Sequence, residues 1–434
     1  DGDDARTRWE EANAAYYEGG QATEGDSPDF GTSATLAGLL EYAESSNPRL
    51  RASHDRWKAA LDQAPQAGSL PDPRFSYAYF IESVETRVGP QRQKFGLSQT
   101  IPLFGQTGLR EEVELQAANV AGARFEAERL ELRFQVTRTW NEYYYLSRAI
   151  AVTGENLELL KKIENVALAQ YAAGRAPHSA LIRAQVELGR LEDRLRSLRD
   201  QRSPLSASLN AEINRPGGAL VAWPDSLVSR PLDQTVAELG RILLDRNPQL
   251  AALTHQMASD AKAARLAGKN ALPDLTLGVD YIDTRPAAYG DFPDSGKDAV
   301  IAKASINIPL WSGRRGAEKS QAAARLSSTE NDYQQVRNGL LAQLERAHFE
   351  LRDSERRAEL YAYTLLPRAR QSLEVTNDAF VTGEAGFLDL IDAQRTLLEF
   401  ELALERAQAD RSTQRAKLEQ IVGTELDAGT KAED

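Results

Sequence analysis

Hydrophobic residues recur with two different periods along the chain, and the shorter period marks four strands. Apolar side chains there occupy every second position, which is typical of a β-strand with one apolar and one polar face. The stretches are 75–81, 95–103, 275–281 and 300–310. Loops over 85–92 and 286–296, rich in Gly, Pro and charge, group them into two predicted hairpins, 73–103 and 274–310. Alternation alone favours a sheet half-buried against helices over a sheet that crosses a membrane.

The longer period follows each hairpin and predicts very long helices. Over 104–172 there is no proline, and apolar or small residues recur at alternating spacings of four and three, as in a coiled coil. A helix of this length spans roughly 100 Å. Gly174 ends this pattern and Gly383 ends its second-half counterpart, because glycine readily adopts the left-handed conformation that terminates helices. Return helices over 179–213 and 388–422 are predicted to complete two helical hairpins.

Shorter helices precede each β-hairpin. Asn-Pro at 47–48 and at 247–248 is predicted to end a short amphipathic helix, because the residue before proline is disfavoured in helical geometry. A further helix is predicted near 48–67 in the first half and over 248–269 in the second. Pro367 is expected to kink the long helix of the second half.

Several short sequence motifs occur twice along the chain in the same order, which indicates an internal structural repeat. Asn47-Pro48-Arg49-Leu50 recurs as Asn247-Pro248-Gln249-Leu250, and Ile101-Pro102-Leu103-Phe104 recurs as Ile308-Pro309-Leu310-Trp311. The predicted bounds are 33–213 for the first repeat, 214–232 for a linker, 233–422 for the second repeat, 1–32 for an irregular N-terminal segment and 423–434 for a C-terminal tail.

Composition narrows the classes of function. Only 41% of the 434 residues are hydrophobic and 27% are charged, which indicates an extended, helix-rich shape with much solvated surface. The net charge of −12 argues against nucleic-acid binding, which needs clustered Lys and Arg. The chain has no cysteine, no phosphate-binding loop and no metal-ligand spacing among its four histidines. We therefore expect neither an enzyme nor a bound cofactor or metal.

Four strands are too few to close a membrane β-barrel within one chain. A membrane barrel needs at least eight strands, and open sheet edges cannot face lipid. If this sheet lies in a membrane, several chains must share one barrel, and the helices would continue as a tube in water. The helices alone also fit a soluble coiled-coil scaffold, against which the strands and the repeat argue.

Several motifs occur in an order known from one family. They are Asn-Pro at 47–48 and 247–248, Ile-Pro-Leu-Phe-Gly at 101–105, Ile-Pro-Leu-Trp-Ser-Gly at 308–313, and Phe-x-x-Gly-x-x-x-x-x-Asp-Leu-Ile-Asp-Ala-Gln at 380–394. The chain thereby resembles the TolC-like outer-membrane efflux proteins, or outer membrane factors, over most of both repeats. The resemblance implies a mainly α fold with long coiled-coil hairpins and a small β part. It also implies a homotrimer that shares a twelve-stranded transmembrane β-barrel and extends into the periplasm.

The resemblance further implies a function without catalysis. The chain would form the passive outer-membrane channel of a tripartite efflux system, exporting small molecules or ions. Its partners would be a periplasmic adaptor protein, an inner-membrane pump and outer-membrane lipid. The duct of a type I protein secretion system is the alternative within the same class.

The resemblance also places functional residues near the two glycine turns. Asp389 and Asp392 match carboxylates that form the constriction at the periplasmic end, and Arg183 lies at a corresponding first-half position, where it is expected to pair with one of them. The turns at Gly174 and Gly383 match those that contact the adaptor. A solvated helix face and a plain helix cap are the competing interpretations.

Overall fold

The computed structural model describes residues 2–16, 29–227, 232–289, 293–308 and 310–426. The elements of the N-terminal half are α1 (Gly2–Tyr16), α2 (Leu36–Ser46), α3 (Pro48–Gly68), β1 (Arg74–Thr86), β2 (Gly89–Ile101), α4 (Gln106–Ala172), α5 (His178–Asp200) and α6 (Arg202–Glu212). Those of the C-terminal half are α7 (Val236–Arg246), α8 (Pro248–Lys269), β3 (Leu275–Thr284), β4 (Ala299–Ile306), α9 (Ser312–Leu360), a π-helical turn (Tyr361–Leu365), α10 (Leu366–Thr382) and α11 (Phe387–Val422). The fold is mainly α with one small sheet, as predicted.

These elements form two compact units. The sheet unit comprises 1–9, 55–123 and 251–335, and the tip unit comprises 10–54, 124–250 and 336–434. The long helices α4 and α9 contribute residues to both units. None of the helices in the described ranges combines the length and the apolar character needed to cross a lipid bilayer.

The N-terminal segment differs from its prediction. An irregular segment was expected over 1–32, and this is wrong for residues 2–16, which form α1. Within the sheet unit, Arg8 donates a hydrogen bond to Asn119 at 2.9 Å, and the ammonium of Lys58 lies over the ring of Trp9 at 5.3 Å. Contacts with the rest of the unit hold the helix, and its own weakly periodic sequence does not reveal them. Residues 17–28 and 427–434 lie outside the described part of the chain.

The sheet joins the two repeats edge to edge. All three neighbouring pairs are antiparallel in the order β1-β2-β3-β4, so β2 of the first half pairs with β3 of the second. The predicted loop over 85–92 is too long, because Thr86 pairs with Gly89 and only Arg87 and Val88 remain in the turn. Gly89 has a φ of 127°, a conformation that favours glycine.

One face of the sheet is apolar and exposed. Its side chains include Phe75, Tyr77, Phe95, Leu97, Leu277, Val279, Tyr281 and Val300. Phe75 is 67% exposed and Val300 69% exposed. The half-buried sheet favoured by alternation alone is therefore not what this chain forms. The strand predicted over 300–310 ends earlier, at Ile306, because this residue pairs with Leu275, where the partner strand β3 begins.

In the tip unit, four helices form one hydrophobic core. Buried side chains of α4, α5, α10 and α11 contact one another along both helical hairpins. Leu160 of α4 and Leu390 of α11 are almost fully buried in it. The heptad pattern therefore reflects packing between the two hairpins as well as within each.

Prolines account for two departures from the predicted helices. The return helix expected over 179–213 is divided at Gln201, because Pro204 has no N–H to donate to the carbonyl of Asp200. The kink expected from Pro367 takes the form of the π-helical turn Tyr361–Leu365 just before it. Proline there leaves the carbonyl four residues earlier without its α-helical donor.

The repeated Asn-Pro pairs join two helices, and the asparagine side chain also bonds to the end of a third helix. Asn47 Oδ1 accepts hydrogen bonds from the N–H groups of Arg49 and Leu50, at 2.9 and 3.1 Å, and so caps α3. Asn47 Nδ2 donates to the carbonyl of Glu212, the last residue of α6, at 2.7 Å. One side chain thus ends one helix, starts the next and holds the end of the return helix.

Candidate functional site at the helical tips

The first tip turn is a Schellman motif built around Gly174. Its N–H donates to the carbonyl of Tyr171 at 2.9 Å, and the N–H of Arg175 donates to the carbonyl of Gln170 at 2.8 Å. Gly174 has a φ of 72°. Most other residues would be strained in this left-handed conformation, so the glycine is explained by the turn itself.

The second tip turn repeats this geometry. The N–H of Gly383 donates to the carbonyl of Phe380 at 3.2 Å, and that of Glu384 donates to the carbonyl of Ala379 at 2.8 Å. Gly383 has a φ of 88°. The predicted helix ends at Gly174 and Gly383 are confirmed, and the two repeats end their outgoing helices in the same way.

A groove of about 420 Å³ lies between the two tips. It is lined by residues of both turns, including Arg175, Pro177, Arg183, Gly383, Phe387 and Asp389. Gln170 Nε2 donates to the carbonyl of Val381 at 2.9 Å, which ties one turn to the other.

The structure gives the three predicted constriction residues different surroundings. Asp389 is exposed, and its carboxylate accepts the N–H of Gly386 at 2.9 Å at the start of α11. The Asp392 side chain is 72% exposed and lies 3.7 Å from the guanidinium of Arg395. Arg183 is also exposed and, within the described residues of a single chain, pairs with neither carboxylate. The groove brings Arg183 and Asp389 to one surface, whereas Asp392 does not line it.

Sequence reasoning missed an ion-pair network that connects the two hairpins. Arg395 of α11 pairs with Glu187 of α5, with Nε and Oε2 3.2 Å apart, and also faces Asp392. Arg190 adds a contact to Glu187 at 3.1 Å. Arg395 directly follows the 380–394 motif in sequence, but the motif gives no sign of a partner on α5.

The last residue of the 380–394 motif has a structural role. Gln394 is buried, and its Nε2 donates to Asn156 Oδ1 at 3.0 Å. Asn156 Nδ2 in turn donates to Glu401 Oε2 at 2.8 Å. These polar contacts fix α11 against α4 beside the tip.

No metal site accompanies these residues in the part of the chain that the structure describes. Groups of three or more His, Asp or Glu side chains that could hold a metal ion are absent there. The tip region instead offers exposed carboxylates, several guanidinium groups and two hydrogen-bonded glycine turns, which suit electrostatic and contact functions.

The fold and its tips define a class: internally duplicated chains built from long helical hairpins and a small sheet with an exposed apolar face. The family model described as outer membrane efflux protein matches residues 39–214 and 239–424. The chain belongs to this family.

Individual relatives agree with this assignment. The cobalt-zinc-cadmium resistance protein CzcC of Cupriavidus metallidurans is 24% identical over 372 residues, which cover 84% of each chain. The outer membrane protein VceC of Vibrio cholerae has a similar structure, with a TM-score of 0.76, 19% identity, and coverage of 90% of this chain and 97% of that one. The outer membrane channel MtrE of Neisseria gonorrhoeae, in its open state, gives a TM-score of 0.74 at 19% identity, covering 92% and 91%.

The predicted function is confirmed at the level of the family. The chain is an outer-membrane efflux channel that extends into the periplasm. The proteins that it resembles are channels rather than enzymes.

Proposed function

We propose that three copies of this chain form one passive duct, gated at its periplasmic end and joined there to an adaptor protein and an inner-membrane pump. The observation that supports this most strongly is the unfinished sheet. In the described chain β1 pairs only with β2, and β4 pairs only with β3. A single copy cannot leave two open sheet edges in lipid, and it cannot leave the exposed apolar face in water without a large cost.

Three copies satisfy both requirements. Pairing β4 of one copy with β1 of the next gives twelve strands, which exceeds the minimum for a membrane barrel. The exposed apolar face would then contact lipid. Tyr77 donates its hydroxyl hydrogen to Gln93 and Tyr281 donates to Asp298, so both rings end in polar contacts, as aromatic residues do at a membrane interface.

The gate is proposed at Asp389 and Asp392. Both carboxylates are exposed in the single chain, and neither is buried by the packing of α11. Three copies would bring six carboxylates to one opening, and such rings attract cations and repel one another. The tip turns at Gly174 and Gly383 are the proposed adaptor contacts, because both are exposed and each is held by its own backbone hydrogen bonds.

The name of one relative suggests the cargo. CzcC is described as a cobalt-zinc-cadmium resistance protein. We propose divalent metal cations as the first cargo to test, supplied by the partner pump. The acidic chain, with a net charge of −12, is compatible with such a cargo.

The assembly is tested by fractionation. Expressed with a leader, the chain is expected in the outer membrane, from which detergent extracts a trimer that dissociates on heating. Recovery in the soluble fraction, or extraction only as monomers, would contradict the shared barrel.

The gate is tested by conductance in planar bilayers. Asp389→Asn with Asp392→Asn removes the charge and keeps an oxygen that can accept the Gly386 N–H, so the cap of α11 is preserved. Conductance is expected to rise, and block by multivalent cations to weaken by an order of magnitude or so, since each lost charge removes roughly 1 kcal/mol of attraction in water.

The matched control carries the same charge change elsewhere. Glu345→Gln with Glu359→Gln alters two exposed carboxylates of α9 and is expected to leave the block unchanged. Equal currents and equal block in all three proteins would remove Asp389 and Asp392 from the constriction.

A further inference from the structure

Three neighbouring cross-strand rows on the polar face of the sheet have a charge opposite to that of the whole chain. Strand pairing places Arg74 and Lys303 in one row, Asp280 in the next row and Lys94 in the row after that. The other paired residues of these rows carry no charge. Three cations and one carboxylate leave this part of the face electropositive, although the chain as a whole is acidic.

Asp280 is held between two lysines from neighbouring strands. Its Oδ2 lies 2.6 Å from Lys94 Nζ on β2, and its Oδ1 lies 2.6 Å from Lys303 Nζ on β4. The Asp280 side chain is only 4% exposed, whereas those of Lys94 and Lys303 are 34% and 45% exposed. The negative charge is therefore covered, and the positive groups remain accessible to solvent.

Two glycines make room for this arrangement. A Cβ at Gly96 would lie 2.6 Å from Asp280 Oδ1, and one at Gly278 would lie 2.8 Å from Lys303 Cε. Larger residues would push these side chains away from the sheet. The charged groups lie across the strands because both positions lack a side chain, which indicates a built feature of the face.

We propose that this face lines the pore and that Arg74, Lys94 and Lys303 make the barrel section of the duct favour anions over cations. The proposal rests on the shared barrel proposed above, in which the apolar face meets lipid and the polar face meets the lumen. Three copies would place nine cations and three covered carboxylates around one section. The duct would then have two selective sections of opposite sign, an acidic tip and a basic barrel.

The proposal predicts a strong dependence on ionic strength. Fixed charges on a pore wall act over a Debye length, which is about 30 Å at 0.01 M salt and about 3 Å at 1 M. A wide barrel would therefore be selective in dilute salt and nearly unselective in concentrated salt. The same electrostatic barrier opposes cations moving in either direction, so a pumped divalent cation would cross this section readily only where salt screens the charges of the wall.

Reversal potentials across a KCl gradient test the anion preference, with one variant that removes positive charges and one that removes a negative charge. Arg74→Gln with Lys303→Gln keeps the Lys94–Asp280 pair and is expected to lower the chloride-to-potassium permeability ratio about twofold or more near 10 mM salt, and little at 1 M. Asp280→Asn is expected to raise the ratio. Lys161→Gln, which removes a cation from α4, is the control and should leave it unchanged.

Heat-modifiable trimers would verify assembly of each variant before recording. If Asp280→Asn does not assemble, the Arg74/Lys303 variant still shows whether removing cations lowers the chloride-to-potassium permeability ratio. If Arg74/Lys303 trimers conduct with the same permeability ratio as the unmodified protein in dilute salt, the anion preference of the barrel section would be overturned and the duct would stand. Failure of both the unmodified trimer and the Asp389→Asn/Asp392→Asn trimer to conduct would overturn the proposed duct, and this inference with it.

Discussion

Asn47 and Asn247 have equivalent partners in the two repeats. Asn247 Oδ1 accepts from Gln249 and Leu250, and its Nδ2 donates to the carbonyl of Ile421 at 2.8 Å, near the end of α11. Sequence alone explains why a helix ends before each proline. The anchor to a helix end more than 150 residues away in sequence depends on tertiary packing, so the motif could not reveal it.

Asn247→Ala is expected to destabilise the chain by about 2 kcal/mol. The change removes a helix cap, worth about 1 kcal/mol, and leaves a buried carbonyl without its donor, which costs about 1–3 kcal/mol. Thermal unfolding in detergent measures the loss. Asn331→Ala, at an exposed position of α9, should change the midpoint little.

Burial raises the pKa of the Glu212 carboxyl above its ordinary value of 4.5. The hydroxyl of Thr139 donates to Oε1 at 2.7 Å, while Oε2 is buried without a hydrogen-bond partner. The folded chain therefore binds this proton more tightly than the unfolded chain. Ionisation of Glu212 then lowers the free energy of unfolding as the pH rises above the ordinary value.

Glu212→Gln removes that ionisation. The variant is expected to be more stable than the unmodified protein at pH 8, with the difference shrinking below pH ~4.5. Unfolding midpoints measured across this range check the sign. Glu345→Gln, at an exposed position, should show little such pH dependence. A Glu212→Gln difference that is constant with pH would contradict a role for ionisation.

At the scale of elements, the two outgoing helices differ. α4 runs unbroken from Gln106 to Ala172, whereas its second-half counterpart is interrupted by the π-helical turn before α10. The N–H of Leu366 donates to the carbonyl of Tyr361, five residues earlier, which marks the wider turn. The hairpin of α10 and α11 therefore has a weak point that the hairpin of α4 and α5 lacks.

Pro367→Ala should stabilise the helix at this π-helical turn. Alanine supplies an N–H for the carbonyl of Tyr363 and favours α-helical geometry, so stability should rise by up to about 3 kcal/mol. Slower hydrogen exchange over 361–367 would show the local effect. Pro204→Ala tests the same principle at the α5–α6 break, and exchange near Tyr361 should not respond to it.

The elements that were predicted correctly have local causes. Alternation identified the strands, heptads the long helices, and glycines the tip turns, because each pattern follows from the backbone geometry of the element itself. The length of the β1–β2 turn, the helix α1 and the Arg395–Glu187 pair depend on partners distant in sequence. For the same reason, the expected pairing of Arg183 with Asp389 or Asp392 does not occur within one chain.

At the scale of the whole molecule, the open edges permit a direct test of assembly. The chain has no cysteine, so introduced thiols report only designed positions. Ala78 on β1 and Ile301 on β4 both lie on the polar face. With a flexible bifunctional thiol reagent, the double variant Ala78→Cys with Ile301→Cys should give covalent dimers and trimers on denaturing gels. Each single variant should remain mostly monomeric, and dimers from Ala78→Cys alone would indicate a different seam.

The pairing of β2 with β3 also determines how such a ring can close. It places a first-repeat strand at one edge of the sheet and a second-repeat strand at the other. Each seam between copies is then heterologous, head to tail, and repeats its own rotation until the circle is complete. Because the two repeats alternate around that circle, three chains would give six near-equivalent sectors. The ancestral duplication would thus have halved the number of separate molecules that must meet to build the ring.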